Sequence, residues 1–361
     1  MRIKKEVRKI VASVLAFLMV VSLIPVNSLM TKANAASKTT FEGGKTVEDG
    51  TWKGWTWNVF GSSTDVTKAF ATDTGNGGVT LEVTGDKGKI NGSASDQGLN
   101  TFLYELDKSY DFTITAQAKV DTLAANAQAA FGLTIRDNVG AHGNTAKLTA
   151  DKNNFAFVGG YGNQAASGHG NAGYKTTALA HTRLGESPEV GGTYDLAIQK
   201  VGDSVKLYFN GEVAAECSAD DLITDNAMYV GLFAARNAKV TFNNVKLAYT
   251  QDSSSVKVTT NVTAPKKTTY CAGNTYEDVD LTGFKATVSV DGKEREITAS
   301  DCVVDMSNDP FAEVTDAGKL NLLYLGQTIE VPITVIKEVV SDMYIEYMPV
   351  KTDYMVTDTA L

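Results

Sequence analysis

Short runs in which apolar and polar side chains alternate recur along this 361-residue chain, and helical periodicity is almost absent before residue 250. Alternation with a period of two gives a strand one buried face and one wet face. The runs are Val79–Val83, Phe112–Val120, Phe131–Ile135, Tyr194–Lys200, Val205–Phe209 and Val240–Phe242. Many short strands with glycine-rich turns predict an all-β fold, a jelly-roll sandwich of two sheets over residues 38–250.

Two dipeptides mark hairpins within this pattern. Asn210-Gly211 and Asp291-Gly292 each separate two strand-like runs, and these residue pairs tolerate the positive φ that tight hairpin turns require. The second hairpin belongs to a region of about 80 residues, a size typical of an immunoglobulin-like sandwich. We therefore predict a second domain over 256–338, after a polar linker over 251–255.

The first 35 residues have the order of a secretory signal peptide. Five basic residues lie within residues 1–9, an apolar run follows up to Pro25, and Ala33-Asn34-Ala35 is a small-residue cleavage site. The alternative is a membrane anchor, for which the apolar run is short. Cleavage leaves 27 basic and 41 acidic residues, a net charge of −14. We predict an extracellular or cell-surface protein with no later membrane span, and such acidity argues against nucleic acid as a partner.

Two segments carry a resemblance to a known family. Phe131–Asp137 (FGLTIRD) and Tyr229–Asn237, followed by Val240–Leu247, resemble strands of concanavalin A-like (LamG-like) jelly rolls in secreted bacterial polysaccharide-degrading proteins. Modules of this kind accompany pectate lyase-type catalytic domains. The resemblance implies a polysaccharide or cell-wall glycan as partner. It also implies a structural calcium ion, for which Glu42 and Asn243 are candidate ligands; no other cofactor is expected.

The second domain has its own resemblance and a repeat. Pro265–Tyr270 and Pro349–Tyr354 share proline, lysine, threonine and tyrosine at an offset of 84, which is typical of an array. The P-x-K-T-x-Y motif with the hairpin after Leu281-Thr-Gly283 resembles bacterial Ig-like domains. We therefore predict that 343–361 begins a truncated second repeat, and that further domains follow Leu361. Chance similarity of this tail is the alternative.

Aromatic and amide side chains supply the first binding candidates. Trp55 and Trp57 form either a surface platform that stacks on sugar rings or part of the core. The segment Gly159–Gly192 is rich in glycine and is expected to form a long surface loop, either ligand-binding or mobile. Its candidate ligand residues are Tyr161, His169 and Tyr174.

Two dipeptides that begin with arginine supply the third candidate for a ligand-binding site. Arg136-Asp137 and Arg236-Asn237 end apolar runs, where arginine either pairs with carboxylates of a polysaccharide such as pectin or forms structural ion pairs. Cys271 and Cys302 either form a disulfide within the second domain or remain separate buried thiols.

No catalytic signature is complete in the sequence. Glu105–Tyr110 approaches the E-x-D-x-x-E pattern of laminarinase-type glycosidases, but Tyr110 stands where the second glutamate is required. We therefore expect a non-catalytic carbohydrate-binding module with an Ig-like spacer, from an exported multidomain protein. The alternatives are an adhesin or scaffold with purely structural modules, and a jelly roll that is itself a lyase or hydrolase.

Overall fold

The computed structural model describes residues 39–61, 64–90, 97–126, 128–146, 148, 153–162, 164–170, 180–185 and 187–338. The predicted signal peptide (1–35) and second repeat (343–361) lie outside these residues. Across the described ranges, no helix is long and apolar enough to cross a membrane. The helices described are a single α-turn, Ala219–Leu222, and the 3-10 segments Val66–Lys68, Ser253–Ser255, Tyr276–Asp278 and Ala299–Asp301.

The rest of the regular structure consists of β-strands. The strands before residue 251 form two sheets. In chain order these strands are β1 (Thr39–Thr40), β2 (Trp55–Gly61), β3 (Ala69–Asp73), β4 (Val79–Val83), β5 (Gly98–Asp107), β6 (Asp111–Leu123), β7 (Ala130–Arg136), β8 (Phe155–Tyr161), β9 (Gln164–Gly170), β10 (Ala180–Arg183), β11 (Thr193–Val201), β12 (Ser204–Phe209), β13 (Glu212–Ser218), β14 (Ala227–Ala235) and β15 (Ala238–Thr250). Each predicted alternating run lies within one of them, so the all-β prediction is confirmed.

The two sheets have eight and seven strands. Their orders are β1-β3-β4-β15-β6-β11-β12-β13 and β10-β9-β8-β7-β14-β5-β2, so consecutive strands often lie in different sheets, as in a jelly roll. Asn100 on β5 shows that the sheets face each other, because its side-chain amide donates to the carbonyl oxygens of Phe70 and Glu82 in the other sheet, at 2.9 and 3.1 Å.

The seven-stranded sheet has a second apolar face, here called the outer face. Side chains on this face form a buried cluster of their own, separate from the core between the sheets. The cluster consists of Phe60, Ile90, Leu99, Ala130, Phe155, Phe157, Ala166, Phe233 and Ala235, with Val139, Leu148 and Tyr161 packed against it. A sheet covered on both faces explains why strands such as β7 are buried at every position.

Three strands run through the segment that was expected to be a long loop. β8 continues to Tyr161, and β9 and β10 extend the same sheet, so this expectation is wrong for the described residues of Gly159–Gly192. The glycines here allow neighbouring strands to approach each other closely, and they do not mark a flexible loop. Gly132 pairs with Gly159 across β7 and β8, and a Cβ on Gly132 would lie 2.0 Å from the Val158 carbonyl oxygen.

Two smaller sheets use the strands after residue 256. Their orders are β16-β18-β19 and β17-β22-β21-β20, with β17 and β22 parallel, and a common buried cluster fills the space between them. The strands are β16 (Lys257–Thr263), β17 (Thr269–Cys271), β18 (Lys285–Val290), β19 (Lys293–Thr298), β20 (Val303–Asp305), β21 (Thr315–Tyr324) and β22 (Gln327–Ile336).

Both predicted hairpins are present. Asn210 and Gly211 join β12 to β13 with φ of 46° and 79°, and Asp291 and Gly292 join β18 to β19 with φ of 50° and 73°. Two positive φ values in a two-residue loop match the right-handed twist of the strands on either side.

The chain divides into two compact units. Within the described residues, the first consists of 39–108, 116–194 and 222–245, and it holds the whole seven-stranded sheet. The second consists of 109–115, 195–221 and 246–338, and it holds both C-terminal sheets.

Candidate ligand-binding face

The tryptophans are core residues. Trp52, Trp55 and Trp57 are only 4, 5 and 7% exposed. The Trp55 ring stacks on Phe102 at 5.3 Å between ring centroids, and Trp52 meets the same ring edge-on at 5.5 Å. A sugar needs an open ring face on which to stack, so the surface-platform reading of Trp55 and Trp57 is wrong.

A hydrogen bond fixes Trp57 in this core. Its indole N–H donates to Asn100 Oδ1 at 2.7 Å, while the Asn100 amide nitrogen bonds to two backbone carbonyls of the opposite sheet. The buried amide is therefore satisfied on both sides, which makes it a specific link between the two sheets.

Arg136 lies on the outer face and is fully buried. Its guanidinium lies over the rings of Phe60 and Phe155, at 5.6 and 5.1 Å from their centroids. It donates to the side-chain oxygens of Gln97 and Asn153 and to the backbone oxygen of Asn138. Burial lowers its pKa to about 10. Since this side chain has no exposed surface, its predicted contact with a polysaccharide carboxylate is wrong, and it instead ties β7 to neighbouring segments.

Asp137 is also buried. Its carboxylate accepts hydrogen bonds from the Asn154 backbone N–H at 2.9 Å and from the Thr224 hydroxyl at 3.3 Å. Burial raises its pKa to about 6, against the opposing effect of the Arg136 charge. These contacts join the end of β7 to two loops, so Asp137 is a structural residue and not a surface ligand contact.

Tyr161 lies at the open end of the outer face. It is half-buried and packs edge-on against Phe157 at 6.3 Å between centroids. It pairs in register with Gln164 on β9, while Arg183 on β10 pairs with Ala166, two residues further along β9. Arg183 is exposed and forms no ion pair with any described residue.

Charge and ring are close enough at this end of the sheet to interact. Burial raises the pKa of Tyr161, and the positive charge of Arg183 acts in the opposite direction. An aromatic ring, an amide and a cation without an ion pair to any described residue thus lie at one sheet edge, here called the β8–β10 edge. Tyr174 lies outside the described residues. For His169 the structure gives the backbone, which pairs with Ala180 between β9 and β10.

Sequence reasoning missed a second polar group on the outer face. Tyr229 on β14 pairs in register with both Glu105 on β5 and Arg136 on β7. Burial raises the pKa of Tyr229, and so does its hydrogen bond to the exposed Glu105 carboxylate. The partner strand that brings Glu105 beside Tyr229 is 124 positions earlier in the chain, so no local motif marks the pair.

Arg236 and Asn237 form a tight link between sheets. Both have positive φ, 51° and 42°, where the chain passes from β14 in one sheet to β15 in the other. The Arg236 side chain donates to the Gly88 carbonyl at 3.2 Å, and the Asn237 N–H donates to the Gly85 carbonyl at 2.8 Å. This pair supports the loop connection through hydrogen bonds to backbone carbonyls, and not through the ion pairs that the structural alternative expected. Its contact with a ligand stays a prediction.

The remaining predicted residues concern metal and disulfide. Glu42 is exposed and pairs with Lys45 at 2.6 Å, and Asn243 is half-buried near Gly78. The described residues contain no group of three or more His, Cys, Asp or Glu side chains that could hold a metal ion, and calcium at Glu42 and Asn243 stays a prediction. Cys271 and Cys302 are both free thiols, so the disulfide alternative is wrong.

Comparison with known proteins gives one curated relative by sequence. The chain is 29% identical over 311 residues to Pectate lyase L of Thermoclostridium stercorarium, which covers 84% of this chain and 23% of that protein. The chain therefore spans about a quarter of the relative's length. No family model matches the chain.

The solved structures to which the chain is similar have low sequence identity to it. They include the carbohydrate-binding module CBM66 of Bacillus subtilis (17% identity, TM-score 0.31, 57% of this chain and 98% of that one). Another is lectin II of Ulex europaeus (10% identity, TM-score 0.35, 59% of this chain and 96% of that one). A third is the catalytic domain of a Thermotoga petrophila laminarinase (13% identity, TM-score 0.34, 58% of this chain and 94% of that one). These TM-scores are low, so the sandwich assignment rests on the strand order described above.

Proposed function

We propose that this chain is the non-catalytic, polysaccharide-binding part of an exported protein that recognises or degrades a pectin-like polysaccharide. The observation that carries the proposal is the similarity of 84% of the chain to less than a quarter of a pectate lyase. An accessory region of a large secreted enzyme would give such a match, in which most of this chain aligns with a small part of the relative. The proposed location is extracellular or at the cell surface.

The β8–β10 edge is the proposed binding surface. The Tyr161 ring can pack against the C–H face of a sugar, and the Gln164 amide can bond to hydroxyl groups. The exposed Arg183 guanidinium matches the two oxygens of a uronate carboxylate. This cation matters because the predicted mature chain has a net charge of −14, which otherwise repels an anionic polymer.

The C-terminal sheets are proposed to be an Ig-like domain. Seven strands in sheets of three and four around a single buried cluster support this assignment, together with the P-x-K-T-x-Y motif. In this reading the domain separates the binding module from whatever the chain is joined to.

One observation favours a second candidate, in which the jelly roll itself cleaves the polymer. Tyr229 and Glu105 place a phenol and a carboxylate in hydrogen-bonding contact on the outer face. A tyrosine paired with a base can transfer protons at a sugar ring.

The test measures retardation of the full chain in native gels that contain polygalacturonate, methyl-esterified pectin or neutral galactan. Arg183→Gln is expected to weaken binding to polygalacturonate by about tenfold, as a lost charged hydrogen bond would. Arg295→Gln, at an exposed arginine of the C-terminal sheets, is the matched control and should bind normally.

Two results would overturn the proposal. One is a folded chain that none of the three polymers retards. The other is release of shortened products from any polymer, abolished by Glu105→Gln, which would make the second candidate correct.

A further inference from the structure

The second compact unit combines strands from both halves of the chain. It contains residues 195–221, with most of β11 and all of β12 and β13, together with the C-terminal sheets. Contacts inside this unit decide whether the C-terminal sheets are a free spacer or a fixed part of the molecule.

Apolar packing joins the two parts of the unit. Ala197 on β11 and Tyr208 on β12 form a buried cluster with Val303 on β20, and Leu323 packs against it. Tyr208 is 2% exposed and Val303 is 4% exposed, so water is excluded from this contact.

Hydrogen bonds surround this cluster near the β12–β13 turn. The Tyr276 hydroxyl donates to the Asp195 carboxylate at 2.9 Å, and burial together with the Asp195 charge raises the tyrosine pKa. The Met306 N–H donates to the Gly211 carbonyl at 3.1 Å. Gly211 has no space for a side chain, because a Cβ would lie 2.7 Å from the Val304 oxygen.

A second set of hydrogen bonds involves the start of β6. The Leu325 N–H donates to the Thr113 hydroxyl at 3.1 Å, and the Thr115 hydroxyl donates to the Ser300 carbonyl at 2.6 Å. Thr113 is 1% exposed, and Leu325 is fully buried in a two-residue turn with positive φ. A buried turn whose N–H group is bonded to another strand is held in one position.

The predicted linker is part of the same contacts. Ser253 is buried, and its carbonyl oxygen accepts a hydrogen bond from the Gln327 amide at 2.9 Å. Thr250 donates to the Asp291 carboxylate at 2.7 Å. Residues 251–255 therefore include a 3-10 turn, Ser253–Ser255, tied to the C-terminal sheets and do not form an extended flexible spacer.

We propose that β11, β12 and the C-terminal sheets open and close as one cooperative unit. The C-terminal sandwich is then a rigid extension of β11 and β12, the two strands with which it shares a unit. This goes beyond the proposed function, in which the sandwich is only a spacer.

Native-state hydrogen exchange of the full chain, followed by mass spectrometry, tests this. Ile333→Val weakens the C-terminal core, and Ile333 is not part of the cluster shared with β11 and β12. It should speed exchange roughly three- to tenfold in residues 320–335 and by the same factor in residues 196–209. Ile135→Val, a matched change in the first unit, should leave both segments unchanged.

Each other outcome counts against the proposal. Faster exchange in 320–335 alone would make the C-terminal sheets an independent domain. Equal acceleration by both variants would mean that the whole chain opens together. As a second probe, Tyr276→Phe removes the hydrogen bond to Asp195 and should speed exchange in 196–209 and in 320–335 by the same factor. Acceleration confined to 196–209 would contradict a single cooperative unit.

Discussion

Trp52 and Trp57 are both buried, but their indole N–H groups differ in hydrogen bonding. Trp57 donates its indole N–H to Asn100, whereas the buried Trp52 N–H has no hydrogen-bond partner in the described part of the chain. Burying a donor without a partner costs free energy, and so does removing the partner of a buried acceptor. The two positions are therefore a matched pair for measuring what the Asn100 link contributes.

Trp57→Phe should destabilise the protein more than Trp52→Phe. Both changes remove a similar volume, but the first leaves the Asn100 oxygen unpaired, at about 1–3 kcal/mol, while the second removes an unpaired donor. Urea unfolding followed by circular dichroism measures the difference through the transition midpoint at constant slope. Equal losses of stability would show that the Asn100 bond adds nothing.

Residue-level predictions failed where burial decided the role. Residue type identifies Arg136 as able to pair with a carboxylate, but only the folded sheet shows that Phe60 and Phe155 enclose it. Phe60 lies 76 positions earlier in the chain, so no local pattern carries that information. Tyr161 was a candidate because it is an aromatic residue among glycines, whereas the position of Arg183 near it follows from the register that puts β10 at the sheet edge.

At the level of elements, strands and hairpins were predictable because their signals are local. Alternation located β4 at its observed bounds, Val79–Val83, and Asn-Gly and Asp-Gly located two turns. The glycines of β8 and β9 were misread because glycine in a loop and glycine at a close strand approach have the same composition. The turn at Leu325-Gly326 carries no such dipeptide signal, because a leucine with φ of 46° is unusual; its burial compensates for the strained backbone.

The two predicted hairpin turns differ in what surrounds their glycines. Gly211 and Gly292 have similar φ, 79° and 73°, but a Cβ on Gly292 would meet nothing within 4 Å. Gly292→Ala should therefore cost only the strain of a left-handed residue, about 1–2 kcal/mol. Gly211→Ala should cost about 1–3 kcal/mol more, because its Cβ collides with Val304 and Met306.

Free energies of unfolding from urea titrations compare the two alanine variants directly. Both glycines belong to the second compact unit, so the same transition reports on both. Equal destabilisation would mean that the residues around the β12–β13 turn move to accommodate a Cβ at position 211 without loss of free energy of unfolding.

At the scale of the whole molecule, the described chain holds together without a covalent cross-link. Cys217, Cys271 and Cys302 are free thiols, and the core depends on apolar burial and buried hydrogen bonds. Burial raises the pKa of Cys217 to about 12 and raises that of Cys302 as well, so both remain protonated and poorly reactive at neutral pH.

A reducing agent should leave the thermal unfolding midpoint unchanged. Titration with a thiol reagent in denaturant should count three thiols per chain, as the composition gives. A count of one, together with a lower midpoint after reduction, would show that a disulfide contributes stability that the free thiols do not explain.

The placement of all three tryptophans at residues 52–57 has an optical consequence. Indole emission from this protein comes from one end of one sheet, inside the first compact unit, and the C-terminal sheets contribute none. Fluorescence therefore reports on the first compact unit alone, whereas far-ultraviolet dichroism reports on every strand. Two melting curves from one unlabelled sample thus compare the first unit with the whole chain.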